Sequence, residues 1–231
     1  MLFFQRSAQS TCFVPQQRPK SPAKSRSASK ELRRQQLIKS TIDSIAKRGF
    51  ADTTLADVAD GAGLSRGIVN FHFKSKDILL IETLKHVAEE YRTAWDRALA
   101  NAGPTTAEAL QALVRADFEP AVCNRKKIAV WYAFYAEAKS RPTYLKLCGA
   151  MDEAHFEACR SLCADLIEEG NYEELDATLI ARSIEAMTDG FWLDLLIAPE
   201  AFSRETATDA SMLYLTRVFP RHFPLAAQPI A

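Results

Sequence analysis

No stretch of this 231-residue chain approaches the roughly 18–20 consecutive apolar residues that a helix needs to cross a bilayer. No membrane role is expected. Glycine is scarce: eight residues, scattered at turns, which cannot assemble a phosphate-cradling loop, a dinucleotide fingerprint or a nucleophile elbow. An enzyme reading has little to stand on, and no cofactor is expected. The five cysteines (Cys12, Cys123, Cys148, Cys159 and Cys163) are odd in number and follow no disulfide or zinc-ribbon spacing. Reduced thiols in a cytoplasmic protein are the simplest reading. His155, Cys159 and Cys163 do recur every fourth residue and would share a helix face. Three soft ligands on one stripe bind zinc only if the site closes from elsewhere, and small cysteines buried between helices are commoner. Internal repeats and sustained polar–apolar alternation are also missing, so strands are not expected.

Acid is absent from the first thirty residues, which carry Arg6, Arg18, Lys20, Lys24, Arg26 and Lys30. Residues 31–76 hold eight basic and five acidic side chains, and residues 77–231 hold fifteen basic and twenty-four acidic. The formal net charge of zero thus hides a basic N-terminal third on an acidic body. That asymmetry is expected when one end faces phosphate and the other must not. Residues 1–30, with Pro15, Pro19, Pro22 and six serines, cannot bury enough surface to fold alone and read as a disordered basic tail. Either the tail grazes DNA phosphates or it is inert.

Helical periodicity sets in at Leu32, with Leu37, Ile38, Ile42, Ile45 and Ala46 forming one apolar stripe before Gly49. A short helix follows, capped by Thr53 or Thr54; Ala62-Gly63 makes a tight turn; Ser65 caps a second short helix, and Ser75 a longer one. Further helices are expected over 76–100, 106–119, 124–139, 142–168, 176–197 and 204–218, separated by Gly and Pro breakers. The expectation is an all-α chain of about nine helices, with a helix-turn-helix module over 31–76 and a helical body over 77–231.

The stretch TTLADVADGAGLSRGIVNFHFKSKDILL, residues 53–80, carries the DNA-reading chemistry. Gly63 permits a sharp turn between two helices. Ser65 caps the second so that free backbone N–H groups face the groove, and Gly67 allows close approach to the bases. Arg66 and Asn70, four apart, share one face; arginine can bond guanine and asparagine adenine, each through two hydrogen bonds. Ile68 and Phe71 offer apolar surface to thymine methyls. Thr54, His72, Lys74 and Lys76 suit phosphate anchoring.

This stretch resembles the TetR family closely, through Thr54, Val58, Ala59, Ala62, Gly63, Leu64, Ser65, Gly67, Val69, His72, Phe73, Lys76 and Leu79 at the family's spacing. Asn70 stands where an aromatic is commoner, so an operator sequence cannot be borrowed. The resemblance implies three DNA-reading N-terminal helices and a ligand-binding, dimerising second domain whose last two helices pair across a two-fold axis. The implied target is a pseudo-palindromic double-stranded operator bound by a homodimer. Leu179, Ser183, Ala186 and Gly190 form a small-residue stripe suited to that pairing.

Aromatics gather at Trp131-Tyr132-Ala133-Phe134-Tyr135 and at Phe191-Trp192. Most rings at helical spacing are simply core. The richer reading is a cage for an organic cation, with Asp189, Glu137 or Asp117 as counter-charge. More weakly, the second domain resembles choline-sensing repressors of glycine-betaine synthesis, through RRQQLI at Arg33–Ile38, Phe118, Trp131-x-Ala133-Phe134, Pro142 and Asp189-Gly190-Phe191-Trp192-Leu193. This resemblance implies choline or a related quaternary amine as effector, with Phe118, Trp131, Phe134, Tyr135, Asp189 and Trp192 as candidate ligand contacts. Arg125-Lys126-Lys127 would oppose such a ligand if they turned inward. A second reading keeps the DNA-binding dimer and gives the body only dimerisation or protein contacts.

Overall fold

The structure, a computed structural model, describes residues 23–224. Cys12 and residues 1–22 of the expected tail lie outside the described residues. Helix α1 (Ala23–Arg48) nevertheless begins well before Leu32. No Pro or Gly interrupts 23–48, and this stretch is rich in Lys, Arg and Ala, so the helix anchored by its buried stripe propagates backward. Leu37, Ile38, Ile42 and Ile45 form that stripe, and Gly49 ends the helix at φ +87°.

Two short helices follow, the first packed on α1 and the second on the first. Helix α2 (Leu55–Gly61) starts at Thr54, whose hydroxyl accepts from the Asp57 amide at 3.2 Å while Asp57 accepts from the Thr54 amide at 3.1 Å. The Thr54 hydroxyl also donates to the Asp57 carboxylate, and this bond, with that from the Thr54 amide, holds the Asp57 carboxyl below its usual range. Gly63, at φ +64°, turns the chain sharply, and the Leu64 amide closes onto the Ala59 carbonyl at 2.9 Å. Helix α3 (Arg66–His72) follows. Ser65 occupies its N-cap position, but its hydroxyl makes no capping bond, so the α3 amides are open at that end.

Helix α4 (Lys76–Ala100) is capped by Ser75 Oγ at the Ile78 amide, 3.2 Å. At 25 residues it runs about 37 Å. Its first half seals the head with Leu79, Leu80 and Leu84, and its second half carries Val87, Tyr91 and Trp95 into the body. The body adds α5 (Thr106–Ala116), α6 (Arg125–Ala138), α7 (Pro142–Gly170), α8 (Ala177–Ile197) and α9 (Arg204–Val218). Among the described residues there are nine helices and no strand. Helix α5 stops at Ala116, short of the expected 119, because Pro120 cannot continue it; residues 117–124 instead coil through short turns. Asn171, at φ 48°, caps α7. One continuous buried core runs from the head into the body.

Candidate nucleic-acid interface and effector cavity

Helix α3 presents Arg66, Gly67, Asn70 and Phe71 to solvent and turns Val69 inward. Phe71 is 72% exposed, its ring meeting that of His72 edge-on at 5.2 Å. Around Gly67 the nearest atom to an added Cβ would be Ser65 Oγ at 3.7 Å, so the fold itself would admit a methyl there. Any need for glycine comes from outside the chain, from a surface that α3 approaches. Ile68 is half-buried, and Ser65, Lys74 and Thr54 are exposed, the Thr54 hydroxyl tied to Asp57.

Two expected phosphate anchors are placed differently. Lys76 donates to the Ala51 carbonyl at 3.1 Å and sits against Phe50 O at 3.4 Å, so its ammonium stitches the α1–α2 turn to α4. His72 is half-buried, and burial together with Lys30 and Arg34 pulls its pKa down, leaving a neutral ring near pH 7.

In the body, a cavity of about 300 Å³ opens among α4, α6, α7 and α8. Four of the six expected ligand contacts line it: Trp131, Tyr135, Asp189 and Trp192. Trp131 and Tyr135, one helical turn apart, stack at 6.0 Å. Tyr91 meets Trp131 edge-on at 6.4 Å and Trp192 at 5.7 Å. The other two do not reach it. Phe118 is buried against Phe191, ring centroids 6.3 Å apart. Phe134, one residue off the Trp131–Tyr135 face, packs between Phe50 and Tyr144 at 5.4 and 5.1 Å, where the head meets the body.

Behind the cavity wall lies a buried polar cluster. Asp117 is fully buried and accepts from Tyr91 Oη at 2.7 Å and Thr188 Oγ1 at 3.1 Å, while its backbone carbonyl accepts from Trp192 Nε1 at 3.0 Å. His155 Nε2 stands 3.2 Å from Asp117 Oδ1. Burial lowers the His155 pKa, but the Asp117 carboxylate outweighs it and the net direction is up. The expected counter-charge Asp117 is thus held by hydrogen bonds behind the wall and does not line the cavity, and Glu137 is paired with Arg141 at 3.2 Å, away from it.

The carboxylates that do face the cavity are Asp152, Glu185 and Asp189, against one arginine, Arg182. Arg182 is itself held by Glu185 at 2.8 Å and lies 3.8 Å over the Phe156 ring. Asp152 accepts from Tyr135 Oη at 2.6 Å. Asp189 has no Lys or Arg partner among the described residues. It stands at the mouth, open to solvent on one side and closed in by protein on the other, and burial, with Asp152 and Asp117 adding, pushes its pKa up to about 6. Arg125, Lys126 and Lys127 turn away: Lys126 pairs with Asp43 of α1 at 2.5 Å and Lys127 with Glu90 of α4 at 2.8 Å. Tyr91, Asp152, His155, Arg182, Glu185 and Thr188 were not anticipated from the sequence. They lie on three helices, and only their packing reveals the common wall. His155, Cys159 and Cys163 are buried, and no metal-holding group exists among the described residues.

A helical head with an exposed reading helix, joined by a long helix to a larger helical body, is the architecture of a helix-turn-helix DNA-binding regulator. Residues 37–83 match the family described as bacterial regulatory proteins, tetR family. Residues 106–220 match that described as BetI-type transcriptional repressor, C-terminal. The chain is 33% identical over 184 residues to the HTH-type transcriptional regulator BetI of Stenotrophomonas maltophilia (strain R551-3), covering 80% of this chain and 91% of that one. Its fold is similar to a transcriptional regulator from Pseudomonas aeruginosa PAO1, at TM-score 0.67 and 24% identity over 83% of this chain and 93% of that one. A regulator from Saccharomonospora viridis, crystallised in complex with choline, is similar at TM-score 0.67 and 21% identity, covering 80% and 96%. The chain belongs to the TetR family of bacterial transcriptional regulators. Within it, the chain is a repressor of the BetI type and not an enzyme.

Proposed function

We propose that this repressor binds a pseudo-palindromic operator as a homodimer and releases it when a quaternary amine, choline or a close relative, occupies the body cavity. The observation that carries the ligand class is Asp189, a cavity carboxylate with no cationic partner, set beside the Trp131, Tyr135, Trp192 and Tyr91 rings. Ring faces attract an organic cation within about 6 Å, worth up to about 2 kcal/mol each when water is excluded. A permanent cation also relieves the electrostatic cost that keeps the Asp189 pKa high. The choline complex of the Saccharomonospora regulator is in keeping with this reading. The cavity argues against a body that serves dimerisation alone, since a filled core would suffice for that.

Dimerisation is supported by α8 and α9. Leu179 is 68% and Ile197 67% exposed, with Ala186, Gly190 and Leu193 between them and Leu213 on α9 also exposed. Such a contiguous apolar face needs a partner. Symmetry then sets two α3 helices toward successive half-sites. The absence of any membrane-spanning helix among the described residues accords with the cytoplasmic site that DNA binding requires.

Calorimetric titration with choline and with its uncharged carbon analogue, 3,3-dimethylbutan-1-ol, tests the ligand class. Saturable binding of choline alone is expected. Equal binding of both, or of neither, contradicts a cation cage.

A further inference from the structure

The leading turns of α1 stand beside the reading helix. Lys30 Nζ lies 5.6 Å over the exposed ring of Phe71 on α3. Lys30 is exposed and makes no ion pair among the described residues; the adjacent Glu31 leans toward Arg34 at 3.6 Å instead. Lys30 and Arg34 together depress the His72 pKa after burial, which shows that their charge is felt at the end of α3. The helix continues N-terminally from Lys30 to Ala23, and Arg26 falls one turn before Lys30 in its register. No acidic residue occurs from residue 1 to Lys30.

We propose that Lys30 enlarges the DNA interface: its ammonium, parked on the Phe71 ring in the free protein, contacts the sugar–phosphate backbone at the flank of α3. The occupant is duplex DNA on grounds of charge and continuity. The lysine joins the surface that already carries Arg66, Asn70 and Phe71, and an acid-free segment precedes it. The ring confines a side chain that would otherwise lose much rotamer freedom on binding. Because an ammonium is a point charge meeting phosphate, the contact adds affinity without sequence preference. The contact rests on the DNA-binding reading and is independent of any effector.

Its test uses the full-length chain and mixed-sequence duplex DNA, with fluorescence anisotropy over a series of salt concentrations. Each phosphate contact contributes about 0.9 to the slope of log K against log salt. Lys30→Gln is expected to lower the magnitude of that slope by about 1 for each protomer on the duplex, and Lys30→Arg to restore it. A Lys30→Gln variant with unaltered slope overturns the proposal, whether affinity is unchanged or is reduced by loss of the Phe71 contact. Circular dichroism of each variant separates these outcomes from unfolding, with Lys30→Ala as a second charge-removing variant. Wild-type protein that binds the duplex with no salt dependence would instead undercut the DNA-binding reading itself.

Discussion

Asp189 sits between solvent and the cavity wall, and its position gives the account its clearest acid–base consequence. With a pKa of about 6, it is half protonated near pH 6 in the empty protein, whereas a bound cation favours the carboxylate. The sign follows: affinity for choline is complete at pH values well above 6 and falls as pH drops through it, by about tenfold at pH 5. Asp152 and Glu185 have raised pKa values from burial, and His155 has a net upward shift. Their protonation acts in the same direction, so Asp189→Asn should flatten the part of the profile centred near pH 6 and weaken binding at neutral pH. Calorimetry of both proteins across pH 5–8 reads this directly, and superimposable profiles would remove Asp189 from the site. At the same scale, Arg66, Asn70 and Phe71 were legible in the sequence because a seven-residue helix fixes its own faces. Asp152, Glu185 and Tyr91 were not, because each looks like an ordinary solvated or core residue until three other helices close around it.

Helix extents were readable where breakers and caps were local: Ser75, Pro142 and Asp176 begin their helices as their chemistry dictates. The departures have equally local causes. Helix α1 outran its expected start because propensity, with no Pro or Gly to stop it, extends a helix beyond its buried stripe. The resemblance to choline-sensing repressors makes Phe134 a candidate ligand contact beside Trp131 and Tyr135, yet a difference of one residue rotates a helical side chain by about 100°. That rotation delivers Phe134 to Phe50 and Tyr144, and Arg141 closes the same junction by pairing with Asp77 of α4 at 3.2 Å. Helix α8 divides its faces more simply: Ile180, Ile184, Thr188 and Trp192 point inward, while Leu179, Ala186, Gly190 and Leu193 point out. A charge on the outer face should therefore spare the fold and break the proposed dimer. Leu193→Glu, an exposed position 43% accessible, is expected to run as a monomer in sedimentation at concentrations where the wild type is dimeric. Unaltered association would place the interface elsewhere.

For the molecule as a whole, function is a matter of spacing. The same helices that wall the cavity also hold the head: α6 carries Trp131 and Tyr135 on one side and Phe134 on another, while its N-terminal Lys126 reaches Asp43 of α1. Helix α4 runs from the reading head to Tyr91 in the cavity wall. On the proposed function, a ligand that prefers one arrangement of α4, α6 and α7 changes how the two heads of the proposed dimer are set, and it lowers DNA affinity only by its differential affinity for the two arrangements. The charge asymmetry of the chain announced this division of labour. The contacts that join the two ends did not show in the sequence, because they depend on which face of α6 meets which neighbour. The decisive measurement is the affinity of the protein for a duplex selected by the protein itself from random sequence, with and without saturating choline, using Tyr135→Leu as the ligand-site control. Choline is expected to weaken binding of the wild type by about 5–150-fold, the usual range of allosteric coupling, and to leave Tyr135→Leu nearly unaffected. An unchanged wild-type affinity, with choline demonstrably bound, would contradict this expectation.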